Sequence, residues 1–423
     1  MNLVHKIITA IDSNRQVFKN MTWLSVLQFA NYLIPLLIIP YIVRILGVEL
    51  FGKVSYAQNI ITYFTLIVNF GFEYSATRKI AIHKNDTEKV RVVFWTVIIQ
   101  KAMLLVVSFL GLIALYFTFP KVNQNFTLYL FVFLINVGFV FFPTWLFQGF
   151  EKMGKMAVFT VLARGLGLVF TLLLVKSASD YLLYPALMSF SYILFGLIAF
   201  VYAVKHFNLA SFKTNKTIGK EIFKEGFPVF LNSFFTSAYT IANMTILGFF
   251  VTNTVLGYYS GAYKIIMAIC LITTTPIGMA IYPKISRKFT ESKTAGALYL
   301  KKVGKFIVLY GLLISLLTFV ATPFLVNLIL GESFEPSINL LRLFSVLPFL
   351  IITASLFTIQ GIYGAGLQKY APWIGFTIGV FCISLNLILI PKFGMYGAAL
   401  SWIASQMLEI IISGAVFYKK INK

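Results

Sequence analysis

Apolar runs of about 20 residues alternate with short polar gaps along the whole chain, a rhythm that predicts membrane-crossing helices. Twelve such runs are present, near 21–45, 54–74, 92–118, 127–149, 156–176, 182–204, 227–251, 257–282, 303–327, 338–363, 372–390 and 396–417. At about 1.5 Å per residue, each is long enough to cross about 30 Å of hydrocarbon. The period-two alternation of a β-barrel is missing. The expected fold class is therefore all-α, a polytopic membrane protein of twelve helices. Residues 1–19 are polar and lead into the first run without a small-residue cleavage site, so that run is expected to stay as the first span. Pro35, Pro40, Pro143, Pro276, Pro323 and Pro348 fall inside runs. Each lacks an amide proton, so each leaves a carbonyl that must find another partner within lipid.

Composition agrees with this pattern. Of 423 residues, 59% are hydrophobic and only 11% charged; mean hydropathy is +0.88. The net charge of +22 would suggest nucleic acid if it were spread over a soluble surface. Here it is a sign of orientation instead. With the N-terminus in the cytoplasm, cytoplasmic segments hold 26 of the 35 Lys and Arg, and the opposite side holds 5. An even number of spans places both termini on the cytoplasmic side. No nucleic-acid partner is expected. Cys270 and Cys382 lie within apolar runs at a spacing that fits no metal site. Neither a P-loop, a dinucleotide fingerprint nor a nucleophile motif occurs, and no loop is long enough for a catalytic domain. The expectation is a non-enzyme without cofactor or metal, driven by a gradient, by the membrane potential or by consumption of its product.

The basic loop around 205–226 divides the chain into an N-terminal six-helix lobe (1–210), a linker (211–226) and a C-terminal six-helix lobe (227–423). A shift of 205 residues superposes Gly52 on Gly257, Ser55 on Ser260, Ala57 on Ala262, Ile60 on Ile265, Lys79 on Lys284 and Ile80 on Ile285. One offset held over this stretch points to duplication. Six spans per copy insert the same way up, which gives parallel repeats.

The remaining four cations, Lys101, Arg164, Lys264 and Arg342, lie inside apolar runs. A charge at the bilayer centre costs about 3 kcal/mol even on lenient scales, so such residues suggest a water-filled cavity and an anionic ligand. Arg44, at the outer end of the first run, is a further candidate for the same cationic cavity, with a residue at the membrane boundary as the plainer alternative. Lys264 and Arg342 are near enough to the outer surface to snorkel instead. Glu73 and Glu409 are candidates for a coupling ion or an ion pair, with a helix-end or interhelical contact as the plainer alternative. Asn31, Asn59 and Asn243 are candidates to line a polar cavity, or to join helices by amide hydrogen bonds.

Several segments resemble the Wzx-type oligosaccharide flippases: RILGVELFG (44–52), NFGF (69–72), ATRKIA (76–81), LGYYSGAYKI (256–265), GIYGAGLQKY (361–370) and NLILIPKFGMYGAALS (386–401). The resemblance covers essentially the whole chain. It implies the fold of the multidrug and toxic compound extruders (MATE). It also implies a cationic cavity lined mainly from spans one, two, seven and eight, on which Lys264 falls. The implied cargo is an O-antigen-type repeat unit on undecaprenyl diphosphate, passed from the cytoplasmic to the outer leaflet of a bacterial inner membrane by alternating access. A polysaccharide polymerase and a chain-length regulator are the implied partners beyond the cargo and the bilayer. Two other readings compete. A MATE-like cation-coupled drug or metabolite antiporter should keep an unpaired acid deep in the membrane. A lipid-linked glycosyltransferase or polymerase should carry its chemistry on a sizeable outer loop.

Overall fold

The computed structural model describes residues 2–421; the side chains of most residues before Ile34, and those at 236, 238–240 and 279–280, lie outside the description. The described chain is all helix and connecting turns. Among the described residues, nine helices are long and apolar enough to cross a membrane. Two of them, Ile34–His83 and Gln368–Ile421, each contain two of the expected spans, and the expected seventh span keeps a shorter apolar stretch, Ile241–Phe250. The pattern is consistent with twelve crossings.

Two compact units emerge. The first comprises Met1–Ile38 and Ile61–Ser233, the second Ile39–Ile60 and Phe234–Lys423. From the sequence a boundary is expected near 210–227; instead residues 39–60 fall with the second unit and residues 211–233 with the first.

The first unit holds both ends of α1 (Asn2–Asn69), then α2 (Phe72–His83), α3 (Thr87–Thr118), α4 (Pro120–Asn123), α5 (Phe126–Phe133), α6 (Ile135–Phe141), α7 (Thr144–Gly149), α8 (Met153–Leu174), α9 (Leu183–His206) and the start of α10 (Lys216–Phe250). Its core is aromatic, with Phe94, Trp145 and Phe147 fully buried. Residues 216–226, expected as linker, are helical because their apolar side packs here. Phe70 stacks on Phe223 at 4.0 Å and on Phe230 at 4.8 Å between ring centroids. Lys79 pairs with Glu221 at 2.7 Å and Glu225 at 3.6 Å. The close approach demands glycine at the crossing. Gly71 has φ +75°, and a Cβ there would lie 2.7 Å from the Gly226 carbonyl oxygen.

The second unit holds the middle of α1, the rest of α10, α11 (Asn253–Glu291), α12 (Lys293–Ile329), α13 (Pro336–Phe344), α14 (Leu347–Ser355), a π-helical segment (Leu356–Tyr363) and α15 (Ala371–Ile421). Large apolar side chains of α12, including Leu309, Leu316, Val320 and Phe324, are exposed, as a lipid-facing surface requires. α1 and α15 are broken by glycines outside helical geometry, Gly47 (φ 71°, ψ 178°) and Gly394 (φ 53°, ψ −128°).

The duplication has a structural counterpart inside this unit. Gly47, the break inside α1, and Thr252, the N-cap of α11, are 205 residues apart and share an extended ψ, 178° and 165°. The helical turns that follow pack on each other reciprocally. A Cβ on Gly52 would run into the carbonyl oxygen of Asn253, and one on Gly257 into that of Val48. Val48 and Asn253 are again 205 apart, as are the two glycines. The contact is therefore a local two-fold, with backbone against backbone and no room for a side chain.

Gly52→Val and Gly257→Val are each expected to lower stability by roughly 1–3 kcal/mol or more. Gly165→Ala, where an added Cβ meets nothing within 4 Å, should have little effect. Thermal unfolding of the detergent-purified protein measures this; equal midpoints for all four proteins would dismiss the two-fold contact as a constraint.

Candidate functional site

The reciprocal contact places Ser55 and Lys264 opposite one another in the second unit. Lys264, half-buried on α11, donates from Nζ to Ser55 Oγ at 3.2 Å. The same ammonium stands 4.6 Å from the centroid of the Phe51 ring. Phe51 is buried and packs edge-on to Phe334. A cation over a desolvated aromatic face gains about 2 kcal/mol. An ammonium has three donors, and among the described residues Ser55 is the one acceptor recorded for it. No Asp or Glu oxygen lies within 4 Å of it among the described residues. Beside it, Asn59 donates from Nδ2 to Thr245 Oγ1 at 2.8 Å and to the Ile241 carbonyl at 3.2 Å. Tyr56 donates to the Thr245 carbonyl at 3.3 Å. Asn59 is the position 205 residues before Lys264. The duplicated pair thus carries a cation in one copy and a neutral amide in the other.

The other cations have different surroundings. Lys101 is 3% exposed, in the first unit, and donates to the Phe139 carbonyl at 2.6 Å. The reason lies four residues on. In an unbroken helix the amide of residue 143 would take that carbonyl, but residue 143 is proline. Lys101 thus caps the acceptor that Pro143 leaves open. Glu73, exposed on α2, accepts from Thr144 Oγ1 at 3.2 Å at the same break, and its charge acts on Lys101. Arg44 is exposed and donates from Nη2 to the Leu328 carbonyl at 2.9 Å, at the C-terminal end of α12 where carbonyls lack helical partners. Arg342 is exposed on α13, its guanidinium 5.7 Å from the Phe319 ring centroid. Arg164, half-buried on α8, stands 5.9 Å from the Tyr192 ring centroid in the first unit.

Of the polar candidates, Asn243 is buried and accepts at Oδ1 from Asn386 Nδ2 at 2.6 Å and from the Cys382 thiol at 3.2 Å. It joins helices within the second unit. Glu409, half-buried on α15, accepts from Thr358 Oγ1 at 3.3 Å. The side chain of Asn31 lies outside the described residues. Lys264 combines partial burial, a buried aromatic wall and a hydroxyl neighbour; Arg164 is also half-buried, beside Tyr192 in the first unit. Ser55 and Phe51 were not among the candidates read from sequence; the 205-residue offset, which pairs Ser55 with Ser260, was the signal that pointed to that turn.

The family described as polysaccharide biosynthesis protein matches residues 17–289. A protein of Escherichia coli (strain K12), provisionally named an O-antigen transporter, is 30% identical over 405 residues, 96% of this chain and 97% of that one. A protein of Shigella dysenteriae with the same provisional name is 28% identical, covering 93% and 98%. Among solved structures, an inward-facing multidrug resistance MATE family transporter of the MOP superfamily matches 95% of this chain and 98% of its own at a TM-score of 0.73 and 14% identity. A MOP superfamily transporter from Pyrococcus furiosus, described as having a binding pocket of reverse polarity, matches at 0.59 over 96% and 95% with 15% identity. At these identities the structural likeness establishes a MATE-like fold.

The role of Lys101 yields a double-mutant test. Lys101→Met alone leaves the Phe139 carbonyl buried without a donor, at a cost of about 1–3 kcal/mol. Adding Pro143→Ala supplies the missing amide and is expected to recover most of that loss in thermal unfolding. A double variant no more stable than Lys101→Met would remove the capping role.

Proposed function

The chain belongs to the polysaccharide biosynthesis protein family, and we propose that it is a flippase for lipid-linked oligosaccharides. Its cargo is an O-antigen-type repeat unit on undecaprenyl diphosphate, carried from the cytoplasmic to the periplasmic leaflet of the bacterial inner membrane. The observation that carries this reading is Lys264: a half-buried ammonium with an aromatic wall and no carboxylate within 4 Å among the described residues. A diphosphate is the complementary charge. In surroundings of low dielectric, attraction between unit charges is several-fold stronger than in water, and an ammonium–phosphate hydrogen bond adds to it. The isoprenoid tail stays in lipid throughout, so only the sugar diphosphate needs a polar route. Ser55 supplies a hydroxyl at the ammonium for a sugar or phosphate oxygen, while Tyr56 and Asn59, within about a turn of it, are engaged with Thr245 and Ile241.

The Lys/Arg bias supports an orientation with both termini in the cytoplasm. Alternating exposure of the site to the two leaflets moves the head group. A polysaccharide polymerase and its chain-length regulator would then consume the product on the outer side. A MATE-like antiporter for cationic drugs needs an acid at the binding position, where this chain has Lys264.

Lys264→Ala is expected to abolish most translocation while the protein stays in the membrane, and Lys264→Arg should retain more activity than Lys264→Ala. The measurement is the fraction of lipid-linked repeat units on each leaflet in a deletion strain complemented with each variant. Wild-type leaflet ratios in Lys264→Ala at normal expression would overturn the proposal.

A further inference from the structure

We propose that Glu409 is the proton-binding site that couples this carrier to a proton gradient, and that the π-helical turn Leu356–Tyr363 reports its protonation state. The proposal deepens the transport reading and rests on it for the word coupling alone; the binding of a proton at Glu409 stands or falls separately.

The position comes first. Glu409 lies 15 residues after the Gly394 break in α15 and 12 before its end at Ile421. Within the apolar run 396–417 it is about 20 Å from the outer end and about 12 Å from the cytoplasmic end, at about 1.5 Å per residue. An intramembrane carboxylate is costly and needs a partner or a function. No Lys, Arg or His nitrogen lies within 4 Å of it among the described residues, so Lys264, Arg342 and the α12 lysines Lys293, Lys301, Lys302 and Lys305 do not pair with it. The groups facing it are neutral: Thr358 from the π-helical turn, and Gln406 one turn back on its own helix.

The second observation is Thr358. A π-helix is a rare, weakly bonded geometry that recurs at functional sites. Within it, Thr358 Oγ1 lies 3.3 Å from Glu409 Oε1 and 3.2 Å from Ser413 Oγ. A hydroxyl has one proton to donate and two lone pairs to accept with. With Glu409 ionised, that proton points to the carboxylate. With Glu409 protonated, the carboxyl donates to Thr358, and the threonine proton turns to Ser413. Binding one proton therefore reverses a two-bond chain between α15 and the π-helical turn, and nothing else needs to be supplied. The same turn holds Gln360, 2% exposed, whose Nε2 donates to the Gly278 carbonyl at 3.3 Å on α11. Its Oε1 is buried without a partner among the described residues. The turn thus links the acid to α11, the helix that carries Lys264. A metal cation is a poorer fit: one carboxylate and one hydroxyl are few ligands for a bare ion, and no group of three His, Cys, Asp or Glu occurs among the described residues.

The test uses the full-length protein in lipid nanodiscs. Infrared difference spectra between acidic and alkaline buffer are expected to contain a protonated-carboxyl stretch that Glu409→Gln removes. Thr358→Val should keep the band but shift its frequency, which a merely structural glutamate would not show. In proteoliposomes, an imposed pH gradient should stimulate movement of lipid-linked oligosaccharide by the wild type and not by Glu409→Gln. Glu409→Asp, which keeps the carboxyl, covers the case in which the glutamine variant does not fold. An unchanged band in Glu409→Gln, or a band that responds to sodium rather than pH, overturns the proposal. A titrating Glu409 in a protein that moves no lipid-linked oligosaccharide would leave the proton site standing and refute the cargo.

Discussion

Inside a bilayer there is no water to solvate a backbone carbonyl, so every break in a helix must be closed by the protein itself. This constraint organises the charged residues of the chain more than any ligand does. Pro143 opens the carbonyl of Phe139, and Lys101 closes it. The end of α12 leaves the carbonyl of Leu328, and Arg44 closes that. Cations that look like substrate ligands in a linear sequence are thereby committed to holding helix ends in place. Lys264 has a hydroxyl and an aromatic face for neighbours instead of such a carbonyl, which is why the proposed function is placed there.

The same demand for close packing explains the glycines at the centre of the second unit. Backbone atoms of residues 48–52 and 253–257 meet directly, because a duplicated turn has been folded onto its own copy. Small residues let helices approach where apolar burial offers no driving force. The turn that results sets Ser55 and Lys264 face to face, so the site is a by-product of how the two copies pack.

Much of the fold was legible in the sequence. Lipid thickness imposes helix length, so apolar runs translate directly into spans, and the 205-residue offset marked the turns around Gly52 and Gly257 that pack on each other. Gly394 marks the boundary between the last two runs. The interior of the site was less legible. That Lys101 belongs to Pro143 depends on α3 lying against α6, which no local pattern encodes. Residues 216–226 read as a polar linker because lysine and glutamate dominate them, yet Ile222 is buried and Phe223 stacks on Phe70. Arg342 read as either a cavity cation or a residue that snorkels to the outer surface; it stands exposed on a short helix, α13, that forms the outer end of the run.

The unequal pair at positions 59 and 264 sets a ceiling on grip. Had copying preserved lysine in both, two ammonium groups would close on one anion from related directions, and a ligand held so firmly would be slow to leave. With an amide in the first copy, already occupied by Thr245 and Ile241, the hold on the proposed anionic cargo is one-sided. A carrier must let go as readily as it takes hold, and a single positive charge per cycle is a modest tether suited to turnover.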